Sequence, residues 1–172
     1  TRLRTVTGVQ TCALPIWRAF AEQGIAVRDY FTTPTPLNNL LWYIVGKTDS
    51  GCYIGYRSVL DSGDVSPLTF FPTQDSLLIP FSQKEEVKAL MRFSAGYYTL
   101  SRDGAEVEWN DLRFGQVDGW SDPNSPFVFR YRISGTSDND LVIQRGRMQA
   151  FSDGGWKRLW RRMWGYAPVL PR

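Results

Sequence analysis

The stretch LNNLLWYIVGKTDSGCYIGYRSVL, Leu37 to Leu60, decides the fold. Its first half, through Lys47, is apolar on both faces, which suits a central strand covered on two sides. TDSG, Thr48 to Gly51, is turn material, and CYIGYRSVL then returns with Cys52, Ile54 and Tyr56 on one face. Such a hairpin predicts a sheet, and the segments on either side extend it.

Upstream, WRAFAEQG, Trp17 to Gly24, reads as the last two turns of a helix closed by a glycine that can take the left-handed conformation. IAVRDYFTTPTP alternates into an extended segment in which Pro34 and Pro36 hold Thr33 and Thr35 in β or polyproline geometry. Downstream, PLTFF makes a short third strand and FPTQDSLLIP a loop. Ser82 and Glu85 have the spacing of a capping box, with Val87, Leu90, Met91 and Ser94 on one face of the helix it starts and Gly96 as its stop. YYTLS, RDGA and EVEWN form a second hairpin, with Asp103-Gly104 suited to a type I′ turn. Phe127, Phe129, Tyr131 and Ile133 mark a half-buried strand, and LVIQ, Leu141 to Gln144, pairs after a polar turn. In the closing DGGWKRLWRRMWG, residues Trp156, Leu159, Trp160, Met163 and Trp164 recur at the helical period as one apolar face. The expected class is α+β, a mainly antiparallel sheet of about six to seven strands with flanking helices in one domain.

Residues 1–16 fit none of this. VTGVQTCALPI, Val6 to Ile16, has no periodicity and no charge, and it back-translates codon by codon to a string resembling a common short-read sequencing adapter. Residues 1–16 are therefore read as a fused artefact on a truncated frame, 17–165 as the folded domain, and 166–172 as a tail. Of the 20 Lys and Arg residues, Arg2 and Arg4 lie in the artefact, leaving 18 against 17 acidic residues and a net charge of +1. A basic partner surface for nucleic acid is not indicated at that charge. With Cys12 set aside, Cys52 stands alone and no internal disulfide forms. Seven Trp, eight Tyr and ten Phe supply ample core material, and no apolar run reaches the length of a membrane span.

The chain contains no histidine, which removes the commonest general base, the usual zinc ligand and every Ser-His or Cys-His nucleophile pair. Cys52 sits inside a strand pattern and reads as core. Gly46-Lys47-Thr48 imitates the tail of a phosphate-binding loop, but Leu41 stands where its first glycine is required. Asp138-Asn139-Asp140 lacks the glycine and terminal Glu of a calcium loop and reads as a solvated turn. Glu106 and Glu108 share a strand face and read as its wet side, and Glu85 and Glu86 suit a first helical turn. In WNDLRFGQ, Trp109 to Gln116, an internal Asp-Arg pair pinning the loop is favoured over a ligand site, and Asn38 and Asn39 either satisfy backbone groups where the strand begins or form a site. The Trp-rich closing helix, flanked by Lys157, Arg158, Arg161 and Arg162, serves either as a docked helix with a solvated basic side, the favoured case, or as an interfacial helix on an anionic membrane.

The series TPTPLNNLLWYI, GCYIGYRSVLD, FSAGYYTLS, WNDLRFGQ and FVFRYRI, in that order and spacing, resembles the C-terminal portion of bacterial membrane-bound metal-dependent hydrolases, a group also described as inner membrane-associated hydrolases and in part as LexA-binding. The likeness covers about Trp17 to Gly165, and Pro34 to Asn38 and Asn110 to Gly115 are its most specific marks. It implies a longer parent in the bacterial inner membrane, with His and Asp residues of an N-terminal multi-helix region binding a divalent metal that polarises water or a scissile oxygen. None of those ligands maps onto this chain, so no catalytic residue, metal ligand or cofactor is expected in it. The expected role is a soluble accessory domain that covers the site, chooses substrate or holds partners, without catalysis of its own. The alternative is a membrane-associated protein-binding module with no enzymatic activity. Asn38, Trp42, Asn110, Asp111 and Arg113 are the candidate binding residues, and Trp156, Lys157, Trp160, Arg161 and Arg162 the candidate membrane-surface residues. The expected partners are the parent's membrane region, an anionic lipid surface and a protein, with nucleic acid the weakest case.

Overall fold

In the computed structural model, which describes residues 18–62, 67–104, 106–134 and 154–165, the central hairpin forms as its pattern requires. Strand β2 (Leu41–Lys47) pairs antiparallel with β3 (Gly51–Ser58), Lys47 opposite Cys52 across the turn. β1 (Asp29–Pro34) adds to the free side of β2, and β4 (Leu68–Pro72) to the free side of β3, giving a four-stranded sheet in chain order. Ahead of β1, the helical residues 18–22 (α1) end at Gly24, whose φ is +67°. Its N–H donates to Ala21 O and that of Ile25 to Phe20 O, the paired bonds of a Schellman end.

The strands do not continue into one sheet. After β4 the chain turns through a 3-10 helix (Asp75–Phe81) and α2 (Glu85–Ser94) before β5 (Tyr98–Asp103), β6 (Glu106–Gln116) and β7 (Phe127–Ile133) form a separate antiparallel sheet of three. The expected single sheet of six to seven strands is corrected to two sheets, four strands and three. The physical reason is the helical crossover: β4 and β5 meet through a side-chain bond, Thr99 Oγ1 to Pro72 O at 2.5 Å, and not through a ladder.

Three apolar clusters follow from this layering. Tyr43, Val45, Ile54 and Tyr56 of the first sheet pack with Leu112 and Phe127 of the second to form the inter-sheet core. The outer face of the first sheet carries Ile44 under Phe20 of α1. The outer face of the second carries Trp109, Leu100 and Val107 under Leu78 and under Val87 of α2. β2 is thus covered on both sides, as its unbroken apolar run predicts.

Three local expectations are corrected. The capping box is not made: the N-cap of α2 is Lys84, without a side-chain bond, and the Ser82 hydroxyl donates to Ile79 O instead because the 3-10 helix ends there. Met91 is 45% exposed, so the buried stripe of α2 is Val87 and Ser94 with Leu90 half-buried. In the second hairpin Asp103 is a strand residue paired with Glu106 and not a central residue of the turn, and Gly104 takes a φ of +63°. The supposed artefact 1–16, the Leu141–Gln144 strand, the Asp138–Asp140 turn and the 166–172 tail lie outside the described residues. Among the described residues no helix is long and apolar enough to cross a membrane.

Candidate functional site

Two loops from opposite sheets build one cavity. The first leaves β1 as Thr33-Pro34-Thr35-Pro36 and turns back into β2. Thr35 N–H donates to Leu41 O at 2.8 Å, and the Asn38 side chain fills the turn between them. Asn38 Nδ2 donates to Thr35 Oγ1 at 2.7 Å, and its Oδ1 accepts from Leu40 N and Leu41 N at 3.0 and 2.8 Å. The second loop is the end of β6, where pairing with β7 slips between Asp111 and Gln116. Gly115 at φ +76° allows that irregularity, since a side chain there would be strained.

Thr33 to Pro36 and Arg113 to Val117 line opposite parts of a cavity of about 280 Å³, together with the buried rings of Tyr43, Tyr56 and Trp120. Tyr43 OH donates to Leu112 O at 2.7 Å and so ties the two sheets at the cavity's base. Gln116 Nε2 donates to Pro123 O and Ser125 O at 2.7 and 2.8 Å, pinning the 117–126 loop. Trp120 is 4% exposed, and its indole N–H is a buried donor without a protein acceptor. The volume lies just under the usual range of small-molecule pockets.

The walls carry little net charge. Asp111, fully buried, accepts from Arg113 Nε and Nη2 at 3.0 and 2.7 Å, a bidentate pair inside one strand end. The guanidinium also lies over the Phe93 ring, 4.3 Å from its centroid. Burial pushes the phenols of Tyr43 and Tyr56 well above their ordinary range, so both stay neutral donors. Burial likewise pushes the Cys52 thiol up to about 11, which leaves it a protonated core group. Such walls can hold a small neutral ligand or an inserted side chain by ring contact and hydrogen bonds. Among the described residues the lining holds no carboxylate and no thiol.

Of the five candidate binding residues, Arg113 lines the cavity, Asn38 shapes its first loop, and Asp111 holds Arg113. Trp42 does not line it: its indole N–H caps Asn39 O at 3.0 Å, a local bond at the start of β2. Asn110 is buried in mid-strand with Oδ1 unpaired and is also not in the lining. Tyr43, Tyr56, Gln116 and Trp120 were not singled out by sequence. Their apolar neighbours mark them as core, and only the sheet-to-sheet packing shows that they border a space.

Among the described residues no three potential ligands cluster. Asp111, Asp61 and Asp118 each face a guanidinium, from Arg113, Arg162 and Arg158. Glu108 and Glu106 pair across the sheet with Arg130 and Arg132 at 3.4 and 3.0 Å, rather than acting as an acid-base couple.

The closing helix α3 (Trp156–Met163) corrects the expected apolar face. The docked side is Leu159, Arg162 and Met163, while Trp156, Trp160 and Trp164 are 50%, 60% and 51% exposed. Arg162 is 5% exposed because Asp61 accepts from Nη1 and Nη2 at 2.6 and 2.8 Å and Tyr56 O accepts from Nη2 at 2.8 Å. It therefore leaves the set of candidate membrane-surface residues. Trp156, Lys157, Trp160 and Arg161 remain on the outer side.

Fold and site together define a two-sheet α+β domain with a small, neutral, ring-lined cavity where the sheets meet. No family model, curated protein or solved structure matches the chain.

Proposed function

We propose that the chain is the accessory domain of a membrane-bound metal-dependent hydrolase, without catalysis of its own, and that it contributes recognition through the cavity. The supporting observation is convergence. The two blocks that most specifically carry the resemblance to that group, Pro34 to Asn38 and Asn110 to Gly115, are far apart in sequence and shape one space. The neutral phenols of Tyr43 and Tyr56 and the Asp111–Arg113 pair beside it favour holding over cutting. The metal implied by the resemblance belongs on this view to the parent's membrane region.

The test is hydrolysis of an ester, amide and phosphoester panel with added zinc, manganese or magnesium, comparing this chain with its longer parent in detergent. Activity confined to the parent, with KM raised by Thr33→Trp at the cavity wall, is the expected result. Turnover by this chain alone would sink the proposal. Silence from both would favour a protein-binding module with no enzymatic activity.

A further inference from the structure

We infer that α3 is the face by which this domain rests on an anionic lipid bilayer, through a row of tryptophans lying beside a row of cations. The helix is fixed about its axis from within. Leu159 enters the inter-sheet core, Arg162 is clasped by Asp61, and Ser58 Oγ donates to Met163 O at 2.5 Å. That anchoring determines what faces outward. At about 3.6 residues per turn, Trp156, Trp160 and Trp164 stack four apart as one row, and Lys157 and Arg161 form the row next to it. The rings of Trp160 and Trp164 lie 6.0 Å apart and both are more than half exposed.

The charge on this face is unbalanced in one direction. Residues 154–165 contain four cations and no acid. Arg158 is held by Asp118 at 2.6 Å and Arg162 by Asp61, whereas among the described residues Lys157 and Arg161 have no carboxylate partner. A bilayer interface uses both rows at once. Indoles settle at the headgroup boundary, and ammonium and guanidinium groups reach anionic phosphates on flexible stems. A polyanion in water would use the cations and leave three indoles wet. The inference does not rest on the hydrolase proposal, and its test contains no substrate.

The experiment is co-sedimentation of the full chain with large vesicles of phosphatidylcholine, with and without roughly a third phosphatidylglycerol, at two salt concentrations. Binding is expected only to the anionic vesicles and weaker at higher salt. Lys157→Ala with Arg161→Ala is expected to weaken it about 30-fold, two surface cations at the usual contribution of each. Trp160→Ser with Trp164→Ser is expected to weaken it roughly tenfold or more. Arg102→Ala, an exposed cation on the distant second hairpin, should leave it unchanged. None of these side chains is docked, so an unaltered thermal midpoint serves as the folding control. No sedimentation with anionic vesicles, or binding indifferent to both double variants, would overturn the inference. So would self-association that the Trp variants abolish in the absence of lipid binding, since the occupant would then be a second copy of the chain.

Discussion

Asp111–Arg113 and Asp61–Arg162 are the same chemistry at two scales. Each is a carboxylate gripping a guanidinium through two hydrogen bonds, the Asp111 side chain buried at 1% exposure and that of Asp61 half-buried at 15%. The first joins residues two apart and orders a single side chain at a cavity wall. The second joins residues 101 apart, adds a bond to the Tyr56 carbonyl, and fastens a whole helix to the end of β3. Sequence distance, and not the strength of the pair, decides whether a clasp positions a group or holds the fold together. Long loops between contacting residues are where chain entropy is lost.

Breaking the long clasp should have the largest effect. Arg162→Ala leaves Asp61 without its partner and is expected to destabilise by roughly 3 to 5 kcal/mol in urea titrations, with α3 amides exchanging first. Replacing both partners by apolar residues should recover part of that loss, because no unpaired charge then remains. Alkaline pH separates the clasps from the core. Cys52, normally near 9.0, holds its proton to about 11 in the fold because it is buried. Between those values the unfolded chain has lost the proton and the folded one has not, so stability falls as pH rises, by at most roughly 3 kcal/mol. The raised phenols of Tyr43 and Tyr56 continue the decline above pH 10. Cys52→Ser should flatten the limb between pH 9 and 10, as read by thermal midpoints in matched buffers.

The short clasp predicts a smaller loss. Asp111→Asn keeps the shape but removes the charge, costing roughly 2 kcal/mol, with hydrogen exchange in α3 unaffected. Equal destabilisation of α3 by both variants would erase the distinction drawn between them. The smallest effect belongs to Ser82→Ala. A working capping box would lose about 1 kcal/mol, whereas a hydroxyl bonded only to Ile79 O should lose less than about 0.5.

What was legible in the sequence follows the same division. The central hairpin, the glycine end of α1 and the Asp111–Arg113 pair are set by residues within a few positions of each other, and each forms as its pattern implies. The division into two sheets was not legible, because strand patterns report burial and not which strand lies alongside. The shared cavity wall was not legible for a related reason: the packing of one sheet on the other, with the tie from Tyr43 to Leu112, brings Pro34 and Gly115 to one space. The helical period of the closing segment correctly predicts a helix. It misplaces the docked side because it counts every Trp as core and every Arg as surface, while Asp61, far upstream, draws Arg162 inward.

Gly46 has no side chain where Phe20 and Val27 press against β2. A Cβ there would come within 2.4 Å of the Phe20 ring and 2.8 Å of Val27 Cγ1. Positions 20, 27 and 46 therefore share one fixed volume. A sequence that enlarges residue 46 must make room at residue 20 or residue 27, so across chains that adopt this fold a larger residue 46 should come with a smaller residue at 20 or 27.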